Sequence, residues 1–278
     1  MHLLMIVTVL IIAWWLRTSW TPNPGTWVQR WQRSLFFFLF PPLLIFMTIV
    51  AVLCMGTEGK MGGMYTGFFS YLLALISLTL SNIVGIKLLW QGWQSVQSAR
   101  ECPQVNLAGQ KARLLPTAAL FAGQMGFWRP ELVVSQGLVN NLSPEHLESV
   151  LAHEQGHYHY RDTFWFFWLG WVRSCTAWLP NSEPLWQELL MLRELRADRY
   201  AANQVDPLIL AESLLLVVSN KPVISEVCCA ALGNNGDRLE QRIEALLTPT
   251  ATITETQLQS WHIFLLAFLP LITVIFHT

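Results

Sequence analysis

The sequence predicts an α-helical integral membrane protein with about four transmembrane helices and an inserted α+β domain. Three observations predict it. Hydrophobic residues make up 53% of the 278 and charged residues only 13%, with a mean hydropathy of +0.39, whereas globular chains carry roughly a quarter charged residues. Several apolar runs approach or exceed the roughly 20 residues that cross a bilayer. Between the third and the last of these runs lies a polar stretch holding His153-Glu-Gln-Gly-His157, a metal-binding pattern. The expected organisation is a membrane region at 1–98, a domain at 99–252 with a membrane-surface aromatic helix at 163–179, and a linker with a closing span at 253–278. The net charge of −1 offers no basic field for nucleic acid. Fourteen Trp and fifteen Phe suit a lipid–water interface. Five cysteines, an odd number without C-x-x-C spacing, read as reduced and mostly structural, which fits a cytoplasmic soluble part.

Residues 3–16 are almost wholly apolar and end at Arg17. They lack the positive start and small-residue cleavage site of a signal peptide, so they read as a first span. Residues 21–32, with Pro22, Pro24 and Gly25, read as a polar loop. Residues 35–55 form the second span, in which Pro41-Pro42 predict a break or kink. A turn at 56–63 leads to a third span at 65–90. Ser77, Ser81, Asn82 and Gly85 recur there at helical spacing and read as a helix-packing face rather than a transport path. Residues 90–100 continue that helix into water. Short strands are expected at 111–115, 118–122 and 131–135, separated by Pro and Gly. Ser143, Pro144 and His146 occupy N-cap, N1 and N3 of a helix running to about Asp162.

Residues 163–179 are apolar and aromatic but hold Arg173 near their middle, which is costly at a bilayer centre. They read as a helix lying on the membrane or wedged against the third span. A charged amphipathic helix at 185–202, an apolar helix at 207–220, a turn at 233–236 and a last soluble helix at 237–247 follow. A polar linker at 248–260 leads to the closing span at 261–276. The first loop carries Arg17, Arg30 and Arg33, the second only Lys60 offset by Glu58. The positive-inside rule then puts the N-terminus outside and the inserted domain in the cytoplasm of a multi-pass cell-membrane protein.

On a helix, His153 and His157 share one face and can aim two imidazoles at one ion. Glu154 lies beside that face, placed to take a proton from an attacking water. Hydrolytic zinc takes three protein ligands and keeps one open position. A third histidine further along this helix would need Gly and His where Tyr160 and Thr163 stand, and His159 lies off the ligand face as a surface or substrate-side residue. The other solution is Glu194-Leu-Arg-Ala-Asp198. Glu194 can ligate, and Asp198, one turn on, can fix the tautomer of a ligand histidine. Set against this, Glu194 is also one charge among Glu188, Arg193, Arg196 and Arg199 on a helix that could simply be solvated. The combined pattern points to one Zn2+ per chain.

The run from His153 to Asp162, His-Glu-Gln-Gly-His-Tyr-His-Tyr-Arg-Asp, resembles the H-E-x-x-H-x-x-x-R-D signature of gluzincin membrane peptidases. Two branches compete, the HtpX and CAAX prenyl proteases and the BlaR/MecR type (metallopeptidase family 56). Residues 126–134 resemble the G-x-x-x-P-x-I strand of the second, and residues 178–186 resemble its W-F-N-P-x-x-W turn, shuffled by an insertion. Three spans before the zinc helix and one after it also resemble that branch. The expectation is therefore a BlaR/MecR-type peptidase lacking the penicillin-binding sensor. The resemblance implies zinc on His153, His157 and Glu194, Glu154 as general base, and Asp198 orienting a ligand histidine. It also implies an edge strand holding substrate in extended form, for which Ala119, Leu120, Phe121 and Ala122 are the candidates. The His-Pro pair of the HtpX branch has no counterpart at 234–242. Arg238 or Arg242 is left as a candidate transition-state stabiliser, against the favoured structural role on an amphipathic helix.

The implied partners are a protein substrate and the bilayer, with no direct contact to nucleic acid and the oligomeric state open. The substrate would be a winged-helix transcriptional repressor or the peptidase itself, cleaved in signalling. Membrane-protein quality control is an alternative. A non-enzymatic scaffold or receptor with structural zinc is another, and the intact Glu154 weighs against it.

Overall fold

The computed structural model describes residues 2–22, 25–57, 60–61, 64–65, 67–219, 235–248 and 262–275. It is mostly helical with a small sheet. Two compact units are formed, one of residues 1–87, 171–189 and 255–278, the other of residues 88–170 and 190–254.

In the first unit, α1 (His2–Thr18) is followed by α2 (Trp27–Met55). α2 starts well before residue 35 because Thr26 and Gln29 form a reciprocal capping box, each side chain accepting from the other's backbone N–H. Residues 27–32, expected in a loop, are therefore helical. Pro41 and Pro42 do not break α2. Both are buried within it, and neighbouring Phe40 and Leu44 pack against Val9 and Ala267, which offsets the backbone hydrogen bonds that proline removes. Within the expected turn and just beyond it, β1 (Lys60–Met61) pairs antiparallel with β2 (Met64–Tyr65). One helix, α3 (Phe68–Arg100), covers both the third apolar run and its expected aqueous extension.

Of the four expected spans, α2 and α3 are long and apolar enough to cross a membrane; α1 is shorter. The closing run is divided into α10 (His262–Leu265), a 3-10 turn at Leu266–Phe268 and α11 (Leu269–Ile275). The small-residue face of α3 is half used: Trp171 Nε1 donates to Ser81 O at 2.9 Å, and a Cβ on Gly85 would come within 3.2 Å of that nitrogen. Ser77 and Asn82 bond back to their own helix. Arg173 is paired with Glu183 at 2.7 Å. The described cysteines, Cys54, Cys102 and Cys175, are free thiols, and Cys228 and Cys229 lie outside the described residues.

The second unit is built on a four-stranded sheet of order β3-β4-β6-β5. Its strands are β3 (Gln104–Leu107), β4 (Gln110–Leu115), β5 (Ala122–Met125) and β6 (Glu131–Ser135). β4 pairs parallel with β6 and the other pairings are antiparallel. β4 and β6 fall where the sequence puts them. The strand expected at 118–122 does not. Gly137 approaches so closely that a Cβ would lie 2.1 Å from Ala118 O, and its N–H donates to Thr117 O at 2.8 Å. This pins 117–118 beneath α4 (Gln136–Asn141) and buries Ala119 and Leu120. Strand pairing starts only at Ala122, so Ala119, Leu120 and Phe121 are packed loop, and β5 is one of the two edge strands, β3 being the other.

Leu120, Leu132, Val134, Leu138, Leu142 and Leu151 form the core under the sheet. Helices α5 (Pro144–His159), α6 (Asp162–Cys175), α7 (Ser182–Ala202), α8 (Pro207–Ser219) and α9 (Asn235–Leu247) follow. The turn expected at 233–236 starts outside the described residues, and Asn235 and Gly236 already belong to α9; the linker from 249 also lies outside them.

Candidate active site

α5 starts where its sequence sets it. Ser143 accepts from His146 N, Pro144 fills N1, and the His146 ring lies 2.6 Å from Ser143 Oγ and 3.2 Å from Glu212 on α8. Gly156 then lets α7 come close. A Cβ there would stand 3.1 Å from Ala197 Cα and 3.3 Å from Tyr200 Cβ. With α7 at this distance, Glu194 and Asp198, one helical turn apart, face His153 and His157.

The three expected ligands converge. His153 Nε2 and His157 Nε2 are 3.1 Å apart; Glu194 Oε2 lies 3.4 Å from the first and Oε1 3.7 Å from the second. Tetrahedral donors at about 2.0–2.1 Å from zinc would be separated by about 3.3 Å, so this donor set fits the ion. The far nitrogen of each ring meets a carboxylate. His153 Nδ1 is 2.8 Å from Asp198 Oδ1, close but bent from good hydrogen-bond geometry. His157 Nδ1 is 2.7 Å from Asp162 Oδ2 and well aligned. Both contacts turn Nε2 toward the common centre.

Charge balance inside the cage favours a cation. Burial opposes a proton on His153, but Asp198 and Glu194 outweigh it and hold the pKa up to about 10. His157 is raised in the same way, burial being overcome by Glu194 and Asp162. Burial would raise Glu194, yet Arg193 and the two imidazoles hold it well below the usual carboxylate range. Asp198 is lowered against its own burial, chiefly by Arg242. A centre that favours positive charge this strongly suits a divalent ion.

Glu154 is buried next to His153. Its backbone carbonyl accepts from Gln124 Nε2 at 3.3 Å, which ties β5 to α5. Residues 118–187 match the model of peptidase family M48. The match runs from the loop before β5 through α5 and α6 into α7 and stops short of Glu194. It supports a metallopeptidase of the M48 kind, a kind that generally binds zinc. No curated protein matches the chain.

Arg242 reaches the site from α9. Its Nε and Nη2 hold both oxygens of Asp198 at 2.7 Å, and Nη1 lies 3.4 Å from Glu194. Arg238 lies one turn earlier on α9. His159 is off the ligand face, stacked on Tyr200 at 5.0 Å. Sequence reasoning gave no role to Asp162, Arg196 or Gln124. Asp162 was visible as the last residue of the signature run, and its second oxygen is bound by Arg196.

Proposed function

We propose that this chain is a membrane-bound zinc-dependent endopeptidase. His153, His157 and Glu194 hold one Zn2+, which when bound supplies Lewis-acid polarisation of the scissile carbonyl and a more acidic water. Glu154 is the general base that takes the proton of the attacking water and returns it to the leaving amine. Asp198 and Asp162 keep the imidazoles in the tautomer that presents Nε2. Arg242 is a positioning residue, since three of its nitrogens already engage Asp198 and Glu194. Substrate lies extended along the free edge of β5, with Ala122 the one residue of the original candidate strand that takes part.

The observation that carries this reading is the convergence of two Nε2 atoms and one carboxylate beside Glu154, within 3.1–3.7 Å of one another. Glu154→Gln should abolish peptide cleavage while zinc content, measured by mass spectrometry of the purified protein, stays at one per chain. Residual turnover in that variant sinks the assignment.

In the same reading, the four apolar runs span the cell membrane with the N-terminus outside, and the catalytic unit works at the cytoplasmic face. Arg17, Arg30 and Arg33, grouped around the junction of the first two apolar runs, support this orientation. The role is in signalling, through cleavage of a repressor such as a winged-helix protein or of the peptidase itself, supported by the BlaR/MecR-like motifs. Cells carrying Glu154→Gln should accumulate one intact regulatory substrate; accumulation of many membrane proteins would replace signalling with quality control.

A further inference from the structure

The tip of the β5–β6 hairpin is Gly126-Phe-Trp-Arg-Pro130. Gly126 turns it at φ 123°, and a Cβ there would meet Arg129 O at 3.0 Å. Phe127 then packs on α6, its ring 4.9 Å from Phe164, 5.0 Å from Phe167 and 6.0 Å from Trp168. Trp128 stands 5.3 Å from Phe164. Hairpin tip and helix thus form one ring cluster, yet its outer members face outward: Trp128 is 74% exposed, Trp165 58% and Trp168 43%. Trp165 and Trp168 lie off the buried face of α6, which is made by Asp162, Phe166 and Leu169. Rings held in place and left uncovered are costly in water.

Two cations flank these rings. Arg129 and Arg161 are exposed, and neither has an ion pair among the described residues. Beside Arg161 opens a cavity of about 320 Å3 whose walls include Phe127, Trp128, Tyr158, His159, Arg161 and Phe164. Apolar ring walls beside a guanidinium match a phosphate-bearing headgroup with the first carbons of its acyl chains. Indole rings favour that depth, where the ring is sheltered and the N–H stays wet, and exposed arginines add attraction to anionic lipid. The same chain supplies two helices able to cross a membrane, so a bilayer is the partner within reach.

We infer that the β5–β6 tip and the first half of α6 form a two-segment anchor that seats in the headgroup layer of an anionic bilayer. The anchor stands independently of the proposed activity; its consequence rests on that reading. β5 runs directly into the tip, and Gln124, which touches the backbone of Glu154, is three residues from Phe127. At roughly 3.4 Å per residue this is about 10 Å. Bonds presented on β5 then lie close to the headgroups, and the substrate class is juxtamembrane segments of proteins in or on the membrane.

The test uses the full chain in phosphatidylcholine vesicles with or without phosphatidylglycerol. A photo-reactive benzoylphenylalanine replaces Trp128, and adducts are identified by mass spectrometry. Lipid adducts are expected, with yield falling about fivefold when the anionic lipid is omitted or when Arg129→Gln is added. Adducts only to another protein or to a second copy of this chain, or no lipid adduct, overturn the anchor. In a second arm, Trp128→Glu with Trp165→Glu should leave cleavage of a soluble peptide within about twofold. Cleavage of a tethered substrate cut at the bilayer surface should fall about tenfold through lost effective concentration. Equal loss on both substrates overturns the positional consequence. If the unaltered protein cuts neither substrate, the peptidase reading fails, and the adducts still decide the anchor.

Discussion

His153 and His157 are each backed by an Asp–Arg pair, but the two arms come from different parts of the chain. The His157 arm is local. Asp162 follows five residues later and aligns with Nδ1 at 2.7 Å, and Arg196 binds its other oxygen while lying 4.2 Å over the Tyr160 ring. The His153 arm is assembled from three separate helices, α5, α7 and α9, with Asp198 gripped at both oxygens by Arg242. Arg242 also reaches Glu194, itself a proposed ligand, whereas Arg196 binds the carboxylate of Asp162. One arm orients a single ring; the other couples two proposed ligands through one guanidinium. A site built this way can be shaped from α9, a helix that contributes none of the three proposed ligands.

The largest effect should come from removing that guanidinium. Arg242→Ala leaves the buried Asp198 and the half-buried Glu194 without their shared cation, which should cost about 3–5 kcal/mol in the metal-free protein. Arg196→Ala should cost less, about 1–3 kcal/mol, because Asp162 keeps its bond to His157. Zinc should recover part of the Arg242→Ala loss, since a dication replaces the missing charge and binds only the folded state. Thermal unfolding in detergent, with zinc and with chelator, measures all four cases. Equal destabilisation by the two variants would erase the asymmetry between the arms.

A smaller effect should follow from neutralising each aspartate without changing its shape. Asp162→Asn and Asp198→Asn should each weaken zinc binding by about 10–100-fold, the usual consequence of losing the carboxylate behind a ligand imidazole. Asp198→Asn should be the worse of the two, because the Arg242 grip is lost with the charge. Competition against a fluorescent chelator gives both affinities. A greater loss for Asp162→Asn would make alignment of the contact, rather than its network, the deciding property.

The arms also differ in how far they can be read from sequence. Glu194 and Asp198 are legible because i, i+4 spacing puts them on one helical face, as it does His153 and His157. Asp162 is in plain view but its role is not. It depends on α5 ending at His159 and on Arg161 taking a left-handed φ of 53°, which turns the chain back toward His157; arginine carries no signal for that conformation. Arg242 reads as one charge on an amphipathic helix, and only tertiary packing reveals its partners. β5 was missed for a related reason. Ala-Gly-Gln-Met has little intrinsic strand preference, and pairing with β6 creates the strand. The early start of α2 was different, because Thr26-x-x-Gln29 is a capping signal present in the sequence and passed over among the surrounding prolines.

The finest probe of the comparison is Gly156→Ala. The added methyl would stand 3.1 Å from Ala197 Cα and 3.2 Å from its carbonyl oxygen, so α7 must yield by a few tenths of an ångström. Global stability should change little. Alanine gains about 1 kcal/mol of helix propensity over glycine, and overpacking costs about 1–3 kcal/mol. The displacement carries Glu194 and Asp198 away from α5, whereas Asp162 stays where the end of α5 puts it. Zinc affinity should therefore fall by roughly threefold to tenfold, on the order of 1 kcal/mol, mainly through the His153 arm. The distinguishing measurement is the double variant. In an Asp198→Asn background that arm is already loose, so Gly156→Ala should cost much less than it does alone, as expected for residues sharing one network. In an Asp162→Asn background the two losses should nearly add. Additivity in both backgrounds would mean that α7 moves as a whole against both arms, and that Gly156 sets the spacing of the entire site rather than the reach of its longer arm.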